Sequence, residues 1–494
     1  MIIDRIYEWA RIQPDKTAII QNGDAINYAT FARAIERTRK FLKGQQLPQG
    51  STAALPIVNL ANCWLAQIAL RAIGLNTIAV TNAAQAQQLQ IRNLSCFVIL
   101  EGDEVDTRDL VMPDSANVRL IVIPRAIYED IHEDELPAPL GMNSLYGGHI
   151  VYTSGTTGSF KQIFMSSDLE DKRNAKRADV LSADADTKYN NLYFRLWTGG
   201  GSKQPPAMWH IGACIVFDQS ENWYDNLFTF GIDRVFLLPH QVRTVFASRS
   251  ASLQNETKLS DGVMTVSGGF LPLEFAERVV RELTPKLLIQ WSATELIDIP
   301  LEAWFKDKDD LVWLDVVSGC QVEVVDELGH ECPPDQEGDL RVARKDVDAS
   351  SYIQNDDDSR RVFRDGYFYP GDMAVKRADG RIRILGRADD VINLQGSKVA
   401  VAPIEQDLRR YLAADEVCLF GHTNNLGQEE LIVAIQSASS PPEAKLDHIR
   451  KMFHYYQTVR FSVLGEFPRT VTGTNKVRRV ALKHRLINEG LAAK

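Results

Sequence analysis

Residues 153–161 read Thr153-Ser154-Gly155-Thr156-Thr157-Gly158-Ser159-Phe160-Lys161. They follow His149-Ile150-Val151-Tyr152, an apolar run that reads as the end of a strand. A strand that breaks into glycines, hydroxyls and one lysine offers a phosphate chain backbone N–H groups, side-chain donors and a cation. Gly, Ser and Thr also dominate ordinary surface turns, so the stretch alone leaves a flexible turn open. It does not fit a Walker A loop, which sets Gly and Lys side by side before Ser or Thr. Here Lys161 stands three residues after Gly158 and precedes Gln162.

Outward from this loop the chain reads as α/β. Phe31 to Leu42 has the apolar spacing of an amphipathic helix. Residues 53–58, 96–100 and 120–123 read as short apolar strands, as do 213–217, 234–238 and 286–289, with Glu274 to Leu283 as an intervening helix. Beyond Val312 alternation at 321–326 and 339–342, with a turn at Glu327-Leu328-Gly329, predicts a half-exposed antiparallel region. A second α/β unit follows, with helices at 403–412 and 448–456 and strands at 416–420 and 431–435. A domain boundary is expected at 388–390.

Bulk properties narrow the class. At 494 residues the chain exceeds one ordinary core, so two or more domains are expected. A net charge of −10 argues against nonspecific nucleic-acid binding, which needs a basic face. The six cysteines are scattered without a CxxC pair or Cys/His cluster, which suggests neither zinc nor a disulfide framework. The first residues lack a signal-peptide layout and no apolar run reaches membrane-spanning length, so a cytoplasmic location is expected.

Five further segments carry candidate chemistry. Ser267-Gly268-Gly269 is a glycine turn that lets a flat group approach the backbone. Gln290-Trp291-Ser292-Ala293-Thr294-Glu295 sets an aromatic face, a hydroxyl and a carboxylate at a strand's C-terminal edge, where α/β ligands sit. Tyr367 to Asp372 ends in a carboxylate suited to a ribose diol, and residues 386–399 combine Arg387, Asp389, Gly396 and Lys398. Pro468 to Arg479 leaves Lys476 on a turn. Singly, each also reads as an ordinary turn, cap or surface ion pair.

In this order the segments resemble the adenylate-forming superfamily of acyl- and aryl-CoA ligases, peptide-synthetase adenylation domains and luciferases. The resemblance runs from Ala18-Ile19-Ile20 to Lys476 and is most specific at Thr153 to Lys161 and Gly386 to Glu405. It implies a mixed α/β fold with a β-rich region: a large N-terminal adenylation domain, residues 1–388, and a small α+β lid, residues 389–494. It also implies an ATP-dependent acid–thiol ligase that forms an acyl-adenylate, releases pyrophosphate and passes the acyl group to CoA.

The resemblance assigns roles by position. Thr153, Ser154, Gly155, Thr156, Thr157, Gly158 and Lys161 would hold the β/γ-phosphates. Glu295 would bind Mg²⁺, with the Thr294 hydroxyl near the α-phosphate. Trp291 would sandwich the adenine against Gly268 and Gly269, while Asp372 takes the ribose hydroxyls beside Arg387. Lys476 would bridge the attacking carboxylate and the α-phosphate. Asp389 would be the hinge, with Gly396 and Lys398 at the thiol tunnel, and Trp197, Gly199 and Gly200 would shape the acyl pocket. Departures are Phe160 where Pro is usual, Ser292 where Gly is usual, and Trp197 where histidine is common. No aspartate near Trp197 offers to bind an ammonium, since Asp218 falls after its strand, so an uncharged acyl or aryl acid is favoured. Arg195 and Lys203 are expected to face solvent. A carrier-protein phosphopantetheine arm is an alternative acceptor, and a nucleotide-binding protein without turnover is the alternative class. A kinase is excluded because its signature set is missing.

Overall fold

The computed structural model describes the whole chain except residues 104–117, 142–144, 155–159, 193, 249–258, 260–261, 389, 395–396, 424–428, 455, 457, 470–475 and 493–494. It comprises two compact units: residues 1–153, 160–311 and 344–359, and residues 154–159, 312–343 and 360–494. The expected boundary at 388–390 lies inside the second unit.

Two sheets organise the first unit. One runs Arg119–Ile123, Leu94–Leu100, Thr52–Leu55, Asn76–Ala79, His149–Ser154, Phe160–Met165. Its first five strands are parallel, with Ala54 level with Phe97 and Ile78, and Ile78 level with Ile150. Parallel strands are covered on both faces and so read as unbroken apolar runs; Thr52–Leu55 is buried throughout. The other sheet sets Lys286–Trp291, Val263–Ser267, Arg234–Leu237, Lys188–Asn190, Cys214–Phe217 and Thr17–Gln21 in parallel order. Antiparallel neighbours Leu301–Trp304 and Asp24–Asn27 flank those six. Aromatics link the sheets: Trp209 meets Trp64 edge-on at 5.3 Å, and its indole N–H donates to the Ala18 carbonyl at 3.0 Å.

The second unit is richer in antiparallel pairing. Val322–Val325, Glu337–Ala343, Asp372–Lys376 and Ile382–Arg387 form successive ladders, as the alternation beyond Val312 predicts. Glu416–Thr423, Glu429–Gln436 and Thr458–Leu464 make a smaller sheet, accompanied by helices Val401–Leu412, Glu443–Met452 and Arg479–Ala492. The Glu443–Met452 helix begins directly after Pro442 and stops four residues before the expected Tyr456. Proline there pre-sets the entry to a helix, a start signal stronger than the apolar spacing read further along. Arg479 ties the last helix down, reaching both Glu405 oxygens at 2.9 and 3.0 Å and Asp390 at 3.0 Å. Burial raises the Glu405 carboxyl above its ordinary range, against the pull of Arg479.

Candidate functional site

Gly155, Thr156, Thr157 and Gly158 lie outside the described residues, and the geometry begins on either side of them. Thr153 and Ser154 end the strand His149–Ser154, and Lys161 stands on the strand Phe160–Met165. The Lys161 ammonium pairs with Asp358 at 3.1 Å and sits 5.2 Å from the centre of the Tyr352 ring. The Tyr352 hydroxyl donates to Oε1 of Glu295 at 2.7 Å. Glu295 is 9% exposed. Lys161, Tyr352 and Glu295 thus form one chain of contacts through the segment 344–359, which a sequence reading did not single out. That segment is stitched in by the Ala349 N–H to the Glu295 carbonyl at 2.9 Å and the Ile353 N–H to the Gln162 carbonyl at 2.8 Å.

Residues 293–297 form no helix. Their backbone is held by two buried cations instead. The Lys203 ammonium donates to the carbonyls of Thr294 at 2.7 Å, Ala293 at 3.3 Å and Leu296, and Arg177 donates to that of Ile297 at 3.0 Å. From the other side the Ile297 N–H donates to Asp348 at 2.8 Å. Burial, then repulsion from Arg177, lowers the Lys203 pKa to about 7, against attraction from Glu295 and Asp348. Three carbonyl acceptors call for three N–H donors, which only the protonated amine has, so the geometry favours the ammonium at neutral pH. Lys203 therefore does not face solvent as expected. Its helix, Gly199–His210, packs that side against Glu170–Val180. Arg195 also turns inward, donating to the carbonyls of Ile57 and Val58 at 3.3 and 3.0 Å and lying 5.6 Å over the Trp197 ring.

Trp197 is buried and stacked on Tyr152 at 5.8 Å with planes 15° apart. Thr198 caps the following helix by accepting from the Gly201 N–H at 2.9 Å. That cap brings Gly199 against Thr294: a Cβ on Gly199 would lie 3.0 Å from the Thr294 hydroxyl oxygen and 3.1 Å from its Cα. Asp218 is wholly engaged in its own turn, accepting from the Ser220 N–H and hydroxyl and from the Asn226 amide. Its exclusion from an ammonium site therefore rests on geometry as well as on sequence position.

Gly268, exposed after the strand Val263–Ser267, has φ +83°, a left-handed conformation that favours glycine. Ser267 pairs with Gln290, so Gly268 and Gly269 follow at the level of Trp291, the half-buried last residue of its strand. In the second unit Asp372 and Arg387 are register partners with an ion pair of 3.3 Å, and Arg387 also donates to the Pro370 carbonyl. Lys476 keeps solvent-accessible surface, yet the surrounding protein lowers its pKa by desolvation first and by Arg387 second, against attraction from Asp372. Asp389 and Gly396 lie outside the described residues, and Lys398 pairs with Asn393 in a hairpin.

Glu295 fits the part of a hard-cation ligand. One of its oxygens is fixed by Tyr352, and among the described residues it makes no ion pair with a lysine or arginine. No group of three or more potential metal ligands exists among the described residues. Magnesium is commonly held by one or two carboxylates together with substrate phosphates, and Glu295 can supply one such carboxylate.

A family model described as AMP-binding enzyme matches residues 6–349. Indoleacetate–CoA ligase of Aromatoleum aromaticum is 24% identical over 506 residues, covering 96% of each chain. The human mitochondrial acyl-coenzyme A synthetase ACSM2B is 28% identical over 177 residues; that match spans only 30% of its length and 33% of this chain. Among solved structures, O-succinylbenzoate coenzyme A synthetase from Bacillus subtilis, solved with ATP and magnesium ion, superposes with a TM-score of 0.79 at 17% identity over 97% of this chain and 99% of its own. No helix among the described residues is long and apolar enough to cross a membrane.

Proposed function

Because this chain belongs to the AMP-binding enzyme family, we propose that it is an ATP-dependent acid–thiol ligase that makes an acyl-adenylate and transfers the acyl group to CoA. The observation that carries the reading is the fixed segment 293–297. Two buried cations clamp its carbonyls, leaving the Thr294 hydroxyl beside Gly199 and the Glu295 carboxylate anchored at a single oxygen. A displacement at phosphorus asks the protein for little beyond positioning and charge neutralisation, and a donor–carboxylate pair on an immobile backbone supplies the first.

The residues act as follows. Lys161 and the loop before it hold the β/γ-phosphates, Trp291 with Gly268 and Gly269 the adenine, and Asp372 with Arg387 the ribose. Glu295 would hold Mg²⁺, which when bound neutralises phosphate charge. The acid's carboxylate attacks the α-phosphorus, pyrophosphate leaves, and the Lys476 ammonium offsets the charge developing between them. The lid, residues 389–494, then turns about Asp389, withdraws Lys476 and brings Gly396 and Lys398 to the incoming thiol, a gating step. The thiol attacks the acyl carbon and AMP departs. Trp197, stacked on Tyr152, walls an acyl pocket for an uncharged acyl or aryl acid, and we place the protein in the cytoplasm.

Acid-dependent ATP–pyrophosphate exchange across aryl, fatty and amino acids tests the reading. Exchange with an uncharged acid that disappears in Lys476→Ala supports it; measurable ATP binding without exchange by any acid removes it in favour of a nucleotide-binding protein without turnover.

A further inference from the structure

The helix Glu170–Val180 turns charged and polar side chains inward. Glu170, Arg173, Asn174 and Arg177 share one face, at i, i+3, i+4 and i+7, and Glu170, Asn174 and Arg177 on that face are buried. Arg71, one helix away, and Lys203, on the helix packed against it, are buried too. Together with Gln67 these side chains line a cavity of about 50 Å³. A single water needs roughly 10–15 Å³ by the same measure, so the space suits three or four waters or one small polyatomic ion.

The charges around it do not balance. The lining carries four cations, Arg71, Arg173, Arg177 and Lys203, against one carboxylate, Glu170. That carboxylate is already used, by Arg71 at 2.6 Å and by the Ile2 N–H at 2.8 Å. The nearby Asp348 accepts from the N–H groups of Ile297 and Lys345, and Asp298 pairs with Lys345 and Lys176. Burial of uncompensated cations is costly: desolvation lowers the pKa of Arg177, and that of Lys203 falls through desolvation and then through repulsion from Arg177.

Hydrogen bonding is also incomplete at the same place. Among the described residues the Arg177 Nε–H, the Asn174 amide N–H and the Trp64 indole N–H are buried donors without a partner, and the Gln67 amide oxygen is a buried acceptor without one. All four residues line the cavity and are at least nine-tenths buried. Orphaned buried groups of this kind mark an occupant.

We propose that this cavity is a binding site for a small oxyanion that carries a hydroxyl, of the hydrogen-phosphate or bicarbonate class. Its oxygens accept from Arg177, Asn174 and Trp64, and its hydroxyl donates to Gln67. Trp197, Gly199 and Gly200 are not among the residues that line it. It reaches the rest of the protein through Lys203 and Arg177, the two cations that hold the carbonyls of 293–297. The anion is therefore a structural ligand of that segment.

The test is thermal unfolding and calorimetric titration of the full chain with inorganic phosphate at constant pH and ionic strength, with bicarbonate in parallel. The wild type gains a saturable rise in melting temperature of about 2–4 °C. Asn174→Asp supplies a carboxylate inside the cavity; it melts higher than the wild type without phosphate and gains nothing from it. A rise that is linear in phosphate and equal in both proteins is general salt stabilisation and overturns the proposal, as does no rise at all. Should Asn174→Asp fail to fold, Asn174→Met removes the donor at similar size; at least tenfold weaker phosphate binding is expected, and unchanged affinity overturns the site. Neither readout requires adenylation, so the site stands or falls separately from the proposed function.

Discussion

At the scale of single residues, the proposed site turns on how Glu295 and Lys476 are held. Glu295 depends on one hydroxyl, and a hydrogen bond to a charged group is worth about 1.5–3 kcal/mol. Tyr352→Phe should therefore lower acid-dependent exchange about tenfold or more and raise the magnesium concentration at half-maximal rate. An unmoved magnesium dependence would remove Glu295 as the ligand. Lys476→Ala should cut adenylation by about 10² or more, the usual cost of removing a charge-stabilising donor, while thioester formation from supplied adenylate stays within a few-fold. Loss of both halves together would sink that role. Desolvation lowers the Lys476 pKa, and the cation is the working form. Adenylation should consequently decline with rising pH earlier than an ordinary lysine would dictate, a decline absent from the residual rate of Lys476→Ala.

At the scale of elements, three successive glycines open the helix Gly199–His210 and face different neighbours. A Cβ on Gly201 would lie 2.0 Å from the Arg195 carbonyl oxygen, one on Gly199 3.1 Å from the Thr294 Cα, and one on Gly200 3.6 Å from the Gln204 side chain. Gly201→Ala should cost several kcal/mol or prevent folding, because the added Cβ would be driven into backbone carbonyls that cannot rotate away. Gly199→Ala should fold with modest loss but impair adenylation by moving a segment that Lys203 and Arg177 hold in place. Gly200→Ala should be neutral or stabilising, by up to about 1 kcal/mol of helix propensity. Melting temperatures with exchange rates check the order, and a Gly199→Ala enzyme of full activity would separate that helix from the chemistry. These elements also mark where the sequence is readable. The strands around Ala54 and Phe97 are apolar runs whose reading needs no context, and the antiparallel region after Val312 shows its alternation openly. Lys203 and Arg177 could not be found that way: charged residues at helical spacing ordinarily mark the wet face. Only the tertiary placement of Glu170–Val180 against Gly199–His210 turns that stripe inward. Tyr352 was equally hidden, because its partner Glu295 is 57 residues away in the chain.

At the scale of the whole molecule, the buried polar layer of the first unit sets how stability responds to acid. His149 is buried, bonded to the Thr77 hydroxyl at 2.9 Å and the Leu196 carbonyl at 3.0 Å, and lies on the cavity beside Arg71 and Lys203. Desolvation, aided by Arg71, lowers its pKa to about 4 from 6.5. In the unfolded chain the ring takes its proton near pH 6.5, whereas the native protein resists until about pH 4. Between those values the unfolded state binds more protons, so stability falls as pH falls. The loss is complete below about pH 4 and absent above 6.5. A fall from 6.5 to about 4 corresponds to about 3 kcal/mol, a pH unit being worth about 1.4 kcal/mol. His149→Gln keeps a donor and an acceptor without a proton to gain, and its melting temperature should decline less than the wild type's between pH 6.5 and 4. Parallel curves would mean that other groups control the acid limb. Saturating phosphate in the cavity should also soften the wild-type decline, because an anion there offsets the repulsion from Arg71 that a charged His149 meets.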